Sequence, residues 1–149
     1  MHAFYLKPGD TVSFSKTVSE SDVYLFAGIT GDMHANHVNE HAMAATRYGK
    51  RIAHGALLVG YMSNTSTRIV EQAVDLGLNE TPVSLGYDRV RFLKAVCIGD
   101  TITVRYTVTE VDVDTRRSRA RIVITNQHGD EVTAAEHILK WVAADGHRQ

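Results

Sequence analysis

From Thr11 to Val18 the chain alternates, with Val12, Phe14, Lys16 and Val18 on one side and Ser13, Ser15 and Thr17 on the other. That two-residue period predicts a strand with one buried face, entered through the turn Pro8-Gly9-Asp10, with Lys16 its one misfit. At Ser19 the period changes. Ser19 with Asp22 three residues on has the form of a capping box, and Val23, Phe26, Ala27 and Thr30 recur at helical spacing until Gly28 and Gly31 weaken and close the segment. A second short helix is predicted from His41 to Tyr48, stopped by Gly49, and a longer one from about His54 to Val74 with Leu57, Leu58, Tyr61, Met62, Thr65 and Ile69 on one face. Beyond it the period returns to two. Val83 to Lys94, Thr101 to Asp112, Ser118 to Thr125 and Glu131 to Val142 read as strands, with turns at Gly99-Asp100 and Gly129-Asp130. Long antiparallel strands need an apolar partner, and the long helix needs a surface to lie on. An α+β fold follows, a curved antiparallel sheet wrapped around a central helix.

Length and composition narrow the function classes. With 149 residues the chain is expected to form one domain, 1–149. Its 16 Lys+Arg against 17 Asp+Glu leave a net charge of -1 with no sustained basic run, which argues against nucleic acid as a partner. The most apolar stretch, about Ala53 to Met62, is too short to span a bilayer, so no membrane partner is expected. One cysteine, Cys97, permits no intrachain disulfide, and Met1 to Asp10 lacks the pattern of a signal peptide. A cytoplasmic location is the expectation.

The chemistry concentrates in Gly31-Asp32-Met33-His34-Ala35-Asn36-His37 and in His54-Gly55. A carboxylate and an imidazole five residues apart in a loop can close around one water and divide acid and base work; equally, Asp32 could cap the next short helix and His37 be a loop residue. Gly55, opening the long helix, would present an unpaired backbone N–H and no side chain, as an oxyanion site requires; close helix–sheet packing would also explain it. Ser63 falls near the same helix face and is a possible hydrogen-bond partner for Asp32. His34, His37 and His41 with Asp32 and Glu40 contain metal-ligand types, but their spacing fits no standard zinc pattern and no metal is expected. Cys97, in the apolar run Ala95-Val96-Cys97-Ile98, reads as an inert core thiol, and no Gly-x-Ser-x-Gly elbow or phosphate-binding glycine motif occurs.

Together these segments resemble the MaoC-like (R)-specific enoyl-CoA hydratases, with their Gly-Asp-x-Asn-Pro-x-His motif and a His-Gly pair at the start of the central helix. Phe26-Ala27, Ala44, Ile52-Ala53-His54-Gly55 and the strand Val90 to Val96 leading into Gly99-Asp100-Thr101 extend the likeness over most of the chain. The resemblance implies a hot-dog fold and a homodimer or dimer of dimers. It implies reversible syn addition of water to a trans-2-enoyl-CoA, giving an (R)-3-hydroxyacyl-CoA, with no cofactor because CoA is part of the substrate. Asp32 and His37 would be the catalytic pair and Gly55 the oxyanion donor, with His34, His54, Ser63 and Arg91 on the substrate side. His34 and Ala35 depart from the family's Asn and Pro, so His34 is a candidate reader of a polar acyl group. Arg47, Lys50, Arg51, Arg89, Arg91 and Lys94 are candidate cations for the CoA phosphates. The alternatives are a hot-dog acyl-CoA thioesterase and a non-catalytic acyl-CoA-binding subunit.

Overall fold

The computed structural model of the protein describes residues 3–144. Strand β1 (Thr11–Thr17) is followed by helices α1 (Glu20–Thr30), α2 (Ala35–Val38), α3 (Glu40–Ala44) and α4 (Gly55–Glu71), then by β2 (Glu80–Phe92), β3 (Thr101–Asp112), β4 (Arg117–Thr125) and β5 (Glu131–Ala143). The strands form one sheet in the order β1-β3-β4-β5-β2, every pair antiparallel. Alternation puts Ile102, Val104, Tyr106 and Val108 of β3, Ala120, Ile122 and Ile124 of β4, and Ala135, Leu139 and Trp141 of β5 on one buried face, and Val132 is buried at the register shift between β4 and β5. Helix α4 covers that face with Leu58, Met62, Thr65, Ser66 and Ile69, spaced at helical intervals, and packs on β3 and β1.

Two segments of like sequence, Gly9-Asp10-Thr11 and Gly99-Asp100-Thr101, close the two ends of the β1–β3 ladder. Gly9 N–H donates to the Val108 carbonyl and Gly99 N–H to the Val18 carbonyl. Asp10 accepts from Lys7 N–H and Asp100 from Cys97 N–H at the same offset. Both glycines sit at positive φ, 94° and 97°, where a side chain would be strained. Lys16, the misfit, is accounted for by an ion pair with Asp22, 3.1 Å away in the capping box of α1.

Two expectations need correction. The helix expected over His41 to Tyr48 is α3, which begins at Glu40 and ends at Ala44, and it is preceded by a separate turn of helix, α2. Asn39 ends α2 and caps α3 by accepting from Ala42 N–H, so one short polar side chain re-aims the chain between two helical turns. Cys97 is half-buried and lines a surface groove instead of lying in the core, because Ile52 and Cys97 form an isolated bridge at its wall.

Candidate active site

Helix α1 ends at Gly31, whose φ of 80° turns the chain out into the Asp32–His34 loop. His34, not Asp32, then caps α2: its Nδ1 accepts from Asn36 N–H at 3.3 Å, the role an asparagine would play there. The Asp32 carboxylate accepts weakly from His34 N–H, at 3.4 Å, and is otherwise open to solvent.

His37 and His54 are fixed by main-chain carbonyls. The carbonyl of Ile52 can only accept, so its 2.7 Å bond with His37 Nδ1 places the proton on Nδ1 and leaves Nε2 with a free lone pair. By the same reasoning His54 donates from Nε2 to the Asp32 carbonyl at 2.9 Å, and its Nδ1 is buried with no hydrogen-bond partner. The two rings stack with centroids 3.6 Å apart. Burial holds the His37 pKa below its ordinary 6.5, helped by the neighbouring His54 and opposed by the Ile52 carbonyl, so His37 is a neutral base at pH 7.

A carboxylate oxygen of Asp32 and a ring nitrogen from each of His37 and His54 lie within 4.8 Å of one another. A water at hydrogen-bonding distance, about 2.8 Å, can bridge two such atoms. These three residues are also the set that could hold a metal. Against that, the stacked imidazoles lie in planes only 23° apart with centroids separated by 3.6 Å, so one ion cannot lie close to both ring planes, as in-plane ligation by both would need, unless the stack opens.

Gly55 is the first residue of α4, and His54 makes no side-chain cap; Leu57 N–H donates to the His54 carbonyl at 3.1 Å, which leaves the Gly55 and Ala56 N–H groups available at the positive end of a 17-residue helix. A Cβ on Gly55 would lie 2.7 Å from the Phe92 ring. Close packing and an open donor are thus both present at this glycine. His37 and Gly55 share one groove of about 690 Å³ with Arg47, Tyr48, Phe92 and Lys94.

The structure separates the remaining residues. Ser63 lies two turns along α4, where its carbonyl accepts from the hydroxyls of Ser66 and Thr67, and no hydrogen bond joins it to Asp32 among the described residues. Arg91 is exposed near the end of β2 and donates to the Val90 carbonyl. Arg51 is not a free phosphate-binding cation: it is bonded to Glu40, Glu20 and the Tyr24 hydroxyl, tying α1 to α3. Arg89 and Lys94 are paired with Glu136 and Asp130. Sequence reasoning missed Phe92 and the Ile52 carbonyl. The first is an ordinary apolar strand residue and the second a main-chain atom, so neither leaves a motif.

The MaoC-like domain profile matches residues 4–132. An (R)-specific enoyl-CoA hydratase of Rhodospirillum rubrum is 38% identical over 104 residues, 70% of this chain and 67% of that protein. A 3-hydroxybutyryl-CoA dehydratase of Methylorubrum extorquens is 35% identical over 127 residues, 85% and 74% of the two chains. Among solved structures, an (R)-hydratase from A. caviae involved in PHA biosynthesis superposes with a TM-score of 0.81 at 25% identity, covering 93% of this chain and 98% of its own. The sheet and its helix therefore form a hot-dog fold.

Proposed function

The chain belongs to the MaoC-like domain family, and we propose that Asp32, His37 and Gly55 are the site at which it adds water reversibly to a trans-2-enoyl-CoA. It is a hydratase/dehydratase of acyl-CoA thioesters, as its relatives' names state of them. One observation carries the site assignment: the Asp32 carboxylate and the neutral His37 come within 4.8 Å of each other, beside an uncapped helix N-terminus.

The thioester oxygen faces the Gly55 N–H. Water lies between the Asp32 carboxylate, which orients it, and His37 Nε2, which takes one of its protons. The water oxygen bonds to C3 as the C2=C3 electron pair moves toward the thioester, and the enolate charge gathers on the oxygen at the helix end. The proton taken up by the site returns to C2 from the same face, so addition is syn and gives the (R)-3-hydroxyacyl-CoA. Dehydration is the reverse. The elements of water add across C2=C3 with no external oxidant or reductant, and no cofactor or metal is assigned to the reaction.

Arg47, exposed on the groove with no carboxylate partner among the described residues, is suited to a CoA phosphate. A homodimer or dimer of dimers is part of the proposal, supported by Leu25, Ile29, Met33, Phe92 and Leu93, which one chain leaves exposed. Light scattering tests it, and a fully active monomer would remove it. Among the described residues no helix is long and apolar enough to cross a membrane. A CoA-ester substrate and a single cysteine fit a reducing, cytoplasmic setting.

The test is a panel of enoyl-CoA esters followed both by loss of the enoyl thioester absorbance and by release of free CoA. Hydration without CoA release is expected; CoA release would instead identify a thioesterase, and binding without either a non-catalytic subunit. Asp32→Asn and His37→Ala should each lower hydration by at least ~10²-fold in a folded protein, and near wild-type turnover in either would withdraw the site.

A further inference from the structure

We propose that His54 is a positioning residue of this site, acting on both members of the Asp32/His37 pair at once. The inference rests on the assignment of that pair as the catalytic groups. His54 is 2% exposed and stands immediately before α4. One face of its ring lies on His37, at 3.6 Å, and Phe26 packs against it with centroids 4.8 Å apart. Its Nε2–H holds the main-chain carbonyl of Asp32.

The stack keeps water from one face of His37, and loss of hydration disfavours the imidazolium. The other groups near His37 are the Asp32 carboxylate, the His34 ring at 6.4 Å and, around the same groove, Arg47, Lys94 and Cys97. Of these side chains His54 alone covers the ring face to face. The tether does a second job. The Asp32 carboxylate has no strong bond of its own, so where it sits depends on its backbone, and the backbone is held at the carbonyl that His54 grips.

His54 Nδ1 marks the cost of this arrangement. It is buried without a partner, which costs stability, and the ring caps nothing at the helix start. An apolar ring of similar size would remove that unsatisfied atom. The predicted signature is a variant that keeps its fold and loses rate.

The experiment uses full-length protein with two variants that separate the roles. His54→Phe keeps a ring on His37 but cannot grip Asp32; His54→Gln keeps an N–H but removes the ring. For each, the His37 ring is titrated by 15N NMR, kcat and kcat/KM are followed against pH with crotonyl-CoA, and Tm is measured. His54→Phe should keep or raise Tm, leave the His37 titration below 6.5 and lower kcat by about 10²-fold with KM little changed, the penalty of a misplaced catalytic group. His54→Gln should move the His37 titration up toward 6.5, carrying the acid limb of kcat/KM with it.

Wild-type kcat in folded His54→Phe, or an unmoved His37 titration in folded His54→Gln, overturns the inference. So does failure of both variants to fold, which would make His54 structural. A titration that moves while the acid limb stays in place supports the role of His54 and withdraws His37 as the base, so the two readings fail separately.

Discussion

Gly55→Ala separates the two explanations of that glycine, and the structure sets the scale of each. The added Cβ would lie 2.7 Å from Phe92 Cε2 and Cζ, whereas ordinary contact begins near 3.4 Å, so the ring must yield by 3.4 − 2.7 = 0.7 Å. Phe92 is 55% exposed and can swing outward, which puts the steric cost at the low end of the ~1–3 kcal/mol of an overpacked site. Alanine in a helix recovers up to ~1 kcal/mol relative to glycine. The net effect on stability is therefore within ~1 kcal/mol, seen as a small change in urea midpoint. The catalytic cost is larger if an oxyanion must reach the Gly55 N–H, because losing one such donor costs ~10²–10³-fold, or ~2.7–4 kcal/mol. Adding Phe92→Ala completes the test, since it removes the clash and leaves the methyl in the path of the substrate. Following the enoyl thioester absorbance, we expect both Gly55→Ala and Gly55→Ala/Phe92→Ala to remain at least ~10²-fold slow relative to Phe92→Ala and wild type. Recovery of the Phe92→Ala rate in the double variant would show that Gly55 serves packing alone and would refute the oxyanion assignment.

His137 supplies a stability prediction. It is fully buried between Ser84 and Tyr106, whose hydroxyls lie 2.8 and 2.9 Å from its two ring nitrogens, and burial pushes its pKa down to about 4. Its folded pKa lies below the unfolded 6.5, so its contribution to stability is complete above pH 6.5 and is lost as the pH falls toward 4. The difference of 6.5 − 4 = 2.5 units amounts to about 3 kcal/mol, measurable by urea unfolding against pH. His137→Leu should strand the Tyr106 hydroxyl at a cost of ~1–3 kcal/mol, and Tyr106→Phe added to it should restore much of the loss. An unchanged pH slope in His137→Leu would contradict this. His34→Asn should leave the ranking of straight-chain and polar enoyl-CoA substrates unchanged, because the ring caps α2 as asparagine would; a ten-fold shift in relative kcat/KM would show that His34 reads the acyl group instead. Arg47→Ala should raise KM for a CoA ester more than for a pantetheine ester, and equal effects would take Arg47 out of phosphate binding.

Residues close in sequence carried most of what could be read in advance. The capping box at Ser19, the left-handed glycine that ends α1, the apolar stripe of α4 and the alternation of β3 each lie within a few residues, and all appear where the periods place them. Asp32 and His37 were legible for the same reason: five residues of loop keep them near each other wherever that loop goes. Boundaries failed where one side chain decided them, as with Asn39 dividing α2 from α3.

What the sequence alone determined is thus the kinds of element, the family, and the two short segments that hold the candidate site. Tertiary structure decided the rest. His54 is 17 residues from His37, and only the fold stacks the two rings and hands the Asp32 carbonyl to Nε2. Arg51 looked like any other cation until α1 and α3 brought Glu20 and Glu40 to it. Phe92 meets Gly55 because β2 ends beside the start of α4. Such contacts depend on directions in space between distant segments, and no local period or motif encodes a direction of that kind.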